Sequence, residues 1–318
     1  MKKMKNNKKK SQERKRKKPE IKRKEKGFSE KIKGFLELAR PIEWSKSLQN
    51  MLIAIVIAHV LFNLTINWTV FLIGFLAVGL LWGALYTFND FVDAELDAQH
   101  PVKKKRAIPS GKVKRKEALV FGIVLCIISF ILAGFVLENL NLIIVMLLMF
   151  LNQWLYSNKP FNLKKKPIVD LISGSMINPV LRFYAGWFLA APFFYLPIEA
   201  LLFVVFVQFG GYGIYRLSSA RLEKKKAFSS SVALFGEKTR YLFYLGILIG
   251  AIGYILMCLN LLKNNLFLYW GVVQLFALPL YFPMLKKGKE EDIKKYYPLL
   301  YGQNIIFIIG FLIIAFWL

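Results

Sequence analysis

The chain has 318 residues, is 56% hydrophobic and carries a formal net charge of +26. A mean hydropathy of +0.44 over that length excludes an ordinary soluble globule. Two cysteines inside apolar stretches, Cys126 and Cys258, and two separated histidines, His59 and His100, exclude a disulfide framework and a His- or Cys-built metal centre.

Residues 1–33 are dense in Lys and Arg and nearly free of apolar side chains. Such a segment cannot bury a core, so it reads as a basic, disordered cytoplasmic tail that helps set topology and meets anionic lipid. No aromatic interleaving accompanies its charge, so nucleic acid is not expected as a partner. Residues 34–318 read as a single transmembrane domain, an all-α polytopic bundle. About nine spans are expected, near 47–66, 69–88, 118–137, 141–157, 168–190, 196–216, 241–260, 266–284 and 299–318. No cleavable signal peptide is expected, because the first apolar run starts late and is long. The connections at 89–117, 158–167, 217–240 and 285–298 are crowded with Lys and Arg. Those near 62–68, 138–142 and 190–197 carry none, and that near 261–265 carries only Lys263. By the positive-inside rule this gives a multi-pass protein of a bacterial or archaeal cell membrane, with the N-terminus cytoplasmic and the C-terminus outside.

After the second apolar run comes Asn89-Asp90-Phe91-Val92-Asp93-Ala94-Glu95-Leu96-Asp97. If the helix continues, Asp90, Asp93 and Asp97 follow i, i+3, i+7 spacing and share one face, which Asn89 can join; Glu95 points away. Three carboxylates on one face repel one another unless cations sit among them. Their hard oxygens suit Mg²⁺, which is commonly held by a few carboxylates together with substrate phosphates. Pro101 ends the helical extension, and Lys103, Lys104, Lys105 and Arg106 lead into the Pro109-Ser110-Gly111 turn. An acidic face beside a basic loop is a logical diphosphate site. Lys104, Lys105, Lys114, Arg115 and Lys116 read as plain positive-inside charges.

Further along, Tyr156 and Lys164 close the fourth expected span, and Asp170 opens the fifth. An acid at that depth is costly unless paired or functional. It either opposes a helix dipole or takes part in chemistry. Arg182 lies in mid-span and must face protein or water; Asn178 stands at i−4 and Pro179 loosens the backbone.

These elements together resemble the UbiA-type intramembrane prenyltransferases, whose first signature is an NDxxDxxxD run followed by a basic turn, here Arg106 to Gly111. The resemblance covers most of the membrane region and excludes the tail. It implies a helical bundle with Mg²⁺ as cofactor, held by Asn89, Asp90, Asp93 and Asp97, and a polyprenyl diphosphate over a cytoplasmic-side cavity. Lys103, Arg106 and Lys164 would bind phosphate, and Asp170, Arg182 and Tyr156 would act on the reacting groups, Asp170 by orienting or deprotonating the acceptor. The family's second acidic motif is degenerate here. In Tyr215 to Gly236 its aspartates are missing, and Ser219 and Glu223 keep the spacing with one carboxylate, so either Glu223 or Asp170, the latter favoured by its place next to Lys164, would supply the remaining metal ligand on that side. Trp44 and Lys46 before the first span, and His100-Pro101-Val102-Lys103, look like the decaprenyl-phosphate phosphoribosyltransferase branch, which adds Lys46 as a phosphate ligand. The expected function is transfer of a polyprenyl group from its diphosphate to an acceptor. The alternative is phosphoribosyl transfer to a polyprenyl phosphate. The co-substrate would be a small aromatic, a lipid or a sugar phosphate. An ion-binding transporter and an inactive membrane scaffold remain as readings of another class; no internal repeat supports the first, and the missing aspartates motivate the second. A CDP-alcohol phosphotransferase lacks its Asp-Asp-Gly element here.

Overall fold

The computed structural model describes residues 27–99, 103–217, 220, 229–285 and 295–317. Most of residues 1–33, His100 and Glu223 therefore lie outside the described residues. Helix α1 is Phe28–Ala39, so residues 28–33, expected to belong to the tail, are its first turns. Leu38 and Gly34 on its inner face are buried, which gives this amphipathic stretch something to pack against.

A short turn at Pro41–Glu43 leads into α2, Trp44–Phe62, and α3 runs from Trp68 to Asp97. Next come α4, Arg115–Val136, and α5, Leu140–Ser157. Helix α6, Asn178–Ala190, follows a wider π-helical stretch, Ile172–Ile177. The rest comprises α7, Ile198–Leu217; α8, Ser231–Leu262; α9, Asn265–Leu275; α10, Leu278–Leu285; and α11, Leu299–Trp317. No strand occurs among the described residues.

Helix α2 is central, with every side chain from Met51 to Ala58 buried. It packs on α6 and α11, α5 packs on α6, α3 on α4, and α7 on α8. Gly186 in α6 permits the α2 contact, since a Cβ there would overlap the Met51 backbone. Outward faces are apolar. Val120, Ile123, Val124 and Ile127 of α4, and Ile306 and Ile309 of α11, are exposed, as lipid contact requires.

Among the described residues, seven helices are long and apolar enough to cross a membrane, or eight if the pair α9–α10, bent by 47°, is one span. The expected count of nine is not reached by that measure. The difference lies at 169–190, which is helical throughout but interrupted by Asp170, Ser173, Ser175, Asn178 and Arg182. Except for Arg182 Nε, these polar groups find partners inside the bundle. Asn152 donates to Ser173 O at 3.0 Å and to Asn178 Oδ1 at 2.8 Å, and accepts from Ser173 Oγ at 2.8 Å. Irregular helix at this depth is tolerated where neighbouring side chains take up the polar groups in this way.

Candidate active site

Helix α3 carries its last turns past the apolar stretch, so the three aspartates do share one face. They line an open cavity of ≈1690 Å³ within the bundle. Each already holds a basic partner. Arg40 Nη2 donates to Asp90 Oδ1 at 2.7 Å and Oδ2 at 3.0 Å. Arg106 Nη1 donates to Asp90 Oδ1 at 2.9 Å and to Asp97 Oδ2 at 2.8 Å. Lys103 Nζ stands 3.9 Å from Asp97 Oδ1. Lys164 Nζ holds both oxygens of Asp93. Asn89 Oδ1 accepts from Ser157 Oγ at 2.9 Å, which links α3 to α5. Glu95 points away as expected, exposed and paired with Arg115.

Local folding explains how these cations reach the cluster. The chain folds back after α3 through a turn in which Ser110 N bonds Arg106 O and Gly111 takes φ +77, a conformation glycine adopts without strain. Ala107, Ile108 and Val113 then pack on Leu38 of α1 and Ala94 of α3, which fixes Arg106 over the acids. Arg40 sits at the break before Pro41 with φ +48, and its guanidinium lies 5.0 Å from the Tyr86 ring centre.

Deeper in the cavity, Lys46 Nζ pairs with Glu43 at 2.6 Å, and Tyr301 of α11 donates to the same carboxylate at 2.6 Å. Arg182 is buried, its guanidinium 4.0 Å from the Trp82 ring centre and 3.5 Å from Gln208 Oε1. Gln208 in turn donates to Asn50 at 2.6 Å, and Asn50 to Pro179 O at 3.1 Å. The Arg182 Nε is buried and without a partner. Tyr86, Tyr156, Tyr212, Tyr215, Tyr297 and Tyr301 face the same space. Beyond them the wall becomes apolar, with Ile247, Ile255, Leu268, Val272 and Leu278 from α8, α9 and α10.

Of the residues expected from sequence, Asn89, Asp90, Asp93, Asp97, Lys46, Lys103, Arg106, Tyr156, Lys164 and Arg182 all line this one cavity. Asp170 does not. It is fully buried behind the wall, where Oδ1 accepts from Ser231 Oγ at 2.5 Å and Oδ2 from Ser231 N at 3.1 Å. Arg216 Nη1, at 3.1 Å, completes the shell. So placed, Asp170 is fully buried and is not among the residues that line the cavity, unlike the other residues expected to act on the reacting groups. Sequence reasoning also missed Arg40, Glu43, Gln208 and Arg216. Arg40 and Glu43 flank Pro41 just ahead of the first span, and Arg216 ends an apolar helix; those positions are the only signal they gave.

The donor set suits Mg²⁺ chemically, because carboxylate and amide oxygens face the cavity from one helix. Among the described residues no three acidic side chains converge into a ready-made cage. Substrate phosphates and water would have to supply the remaining ligands, as Mg²⁺ commonly requires.

A family model described as the UbiA prenyltransferase family matches residues 50–309. Digeranylgeranylglyceryl phosphate synthase of Methanosphaera stadtmanae is 34% identical over 112 residues, 35% of this chain and 38% of that protein. A 4-hydroxybenzoate octaprenyltransferase of Marinomonas sp. is 28% identical over 229 residues, 71% of this chain and 77% of that protein. The chain thus spans well under half of the first relative. A UbiA homolog from Archaeoglobus fulgidus, solved bound to GPP and Mg²⁺, superposes with a TM-score of 0.67 at 21% identity, over 89% of this chain and 99% of that one. At that identity the likeness establishes the fold. The chain belongs to the UbiA prenyltransferase family, as a multi-pass integral membrane protein.

Proposed function

We propose that this protein transfers a polyprenyl group from a polyprenyl diphosphate to an acceptor, with Mg²⁺. The observation that carries this reading is the acidic face of α3, capped by Arg106 and Lys164, at the head of a cavity whose far wall is apolar. That arrangement suits a ligand with a diphosphate head and a hydrocarbon tail. Names and bound ligands of the relatives point the same way.

Mg²⁺ on Asn89, Asp90, Asp93 and Asp97 would neutralise charge on the departing diphosphate. Lys103, Arg106 and Lys164 exchange their carboxylate partners for phosphate oxygens and stabilise the same charge. The tyrosine faces shield positive charge developing on the allylic carbon. Arg182, fixed against Trp82 and supported by Gln208 and Asn50, orients the acceptor. The acceptor is a small aromatic, a lipid or a sugar phosphate. The basic loops after α3 and α5 face the cytoplasm, with the N-terminus inside and the C-terminus outside.

The test offers purified protein labelled polyprenyl diphosphate and labelled phosphoribosyl diphosphate separately, with lipid extracts as acceptors. Mg²⁺-dependent label transfer from the first is expected. Transfer only from the second, onto polyprenyl phosphate, would replace this reading with phosphoribosyl transfer. No transfer from either would leave a non-catalytic scaffold.

A further inference from the structure

The acids that line the cavity are confined to one stretch of the chain, whereas the bases come from several. Among the described lining residues, every acid comes from residues 37–97. Past residue 150 the charged lining residues are Lys159, Lys164, Lys165, Arg182 and Arg216, all cationic. Arg216 is the one clamped by a buried carboxylate, that of Asp170.

The clamp is built from distant parts of the chain. Ser231 Oγ accepts from Ile168 N at 2.7 Å while donating to Asp170. Ile168 takes φ +67, which is unfavourable for a β-branched residue and is held there by this contact. A fully buried carboxylate with a guanidinium and two further donors is satisfied as an anion. Its role is then to orient Arg216. The guanidinium also lies 3.4 Å from the Tyr156 hydroxyl, on the cavity side. Tyr215, the preceding residue, lines the same cavity as Arg40, Arg106 and the aspartates.

We propose that Arg216 is a diphosphate-binding residue of the same cavity that Asp90, Asp93 and Asp97 line, and that Asp170 is its positioning residue and not a metal ligand. A guanidinium already held in place by a buried carboxylate loses little further freedom when it engages phosphate oxygens. Arg216 then binds diphosphate oxygen directly, in addition to the cations already paired with the aspartates. This inference rests on the prenyl-diphosphate reading.

The test uses full-length protein in detergent, with inorganic pyrophosphate as the probe for calorimetry and Mn²⁺ binding followed by electron paramagnetic resonance. Arg216→Gln and Asp170→Asn are each expected to weaken pyrophosphate binding by about tenfold or more, the scale of a lost charge-assisted hydrogen bond. Mn²⁺ affinity should stay at the wild-type value in both. Arg216→Lys, which keeps charge without the fork, should recover part of the loss. Because a single change leaves a buried charge unpaired, the double variant Asp170→Asn/Arg216→Gln provides a second protein in which that penalty is removed; it should show the same weakened pyrophosphate binding. Pyrophosphate affinity unchanged in the double variant, or Mn²⁺ affinity lost in Asp170→Asn, overturns the inference alone. Wild-type protein that binds no pyrophosphate with or without metal overturns this inference and the donor assignment together.

Discussion

Lys164 Nζ donates to both carboxylate oxygens of Asp93, at 2.7 and 2.8 Å. The contact ties the loop after α5 to the end of α3 and leaves Lys164 only 13% exposed. On our reading this lysine passes from Asp93 to phosphate when substrate enters. Lys164→Met should therefore lower kcat/KM by about tenfold to a hundredfold, the range for losing a charge-assisted contact. Lys166→Met removes an equal charge from an exposed site two residues away and should leave the value unchanged. Steady-state assays of both variants across donor concentrations provide the comparison; equal losses would mean that only the loop's general charge matters.

Asp90→Asn or Asp93→Ala should cost about 10²–10³ in turnover, typical for loss of a main electrostatic contributor. Both proteins should remain monodisperse in detergent by size-exclusion chromatography. Near wild-type turnover at saturating donor and Mg²⁺ in either variant would remove the acidic face from the chemistry.

What was legible in the sequence depended on how local the cause was. The aspartate face of α3 follows from 3.6-residue periodicity within one helix, so Asp90, Asp93 and Asp97 were readable. Arg106 and Lys164 were readable because each lies in a basic loop that follows a span. Asp170 was not, because what fixes its environment is Ser231, 61 residues away, and Arg216, on a different helix. The count of nine spans is not confirmed by helix length and composition, which give seven or eight among the described residues. Segment 169–190 draws its stability from Asn152 on α5, and no single-segment hydropathy registers such a partner.

Topology is open to direct measurement. In a background with Cys126 and Cys258 replaced by Ser, Thr65→Cys should react with an impermeant maleimide from outside the cell. Lys104→Cys should react only after the cytoplasmic face is opened. Both sites are exposed, so accessibility reports sidedness and not burial. The reverse pattern would invert the orientation drawn from the basic loops.

Packing gives a stability prediction independent of the chemistry. Gly186→Val places branched carbons where the Met51 backbone already lies, so α2 and α6 must separate. Overpacking of this kind typically costs about 1–3 kcal/mol. A lowered unfolding midpoint in detergent is expected for Gly186→Val and little change for Gly302→Ala, whose Cβ meets open space. Equal midpoints for wild type and Gly186→Val would show that the helices separate without cost.

The ion pairs over Asp90, Asp93 and Asp97 amount to a built-in set of counter-ions. A divalent cation arriving alone must evict Arg40, Arg106 or Lys164 from a carboxylate and leave a guanidinium or ammonium without an anion. A diphosphate arriving alone must draw the same groups away and leave carboxylates facing one another. When both arrive, each displaced charge finds a new partner. On the proposed reading, metal and diphosphate are thus expected to bind with positive cooperativity, and linkage makes the effect reciprocal: each ligand raises the affinity of the other by the same factor.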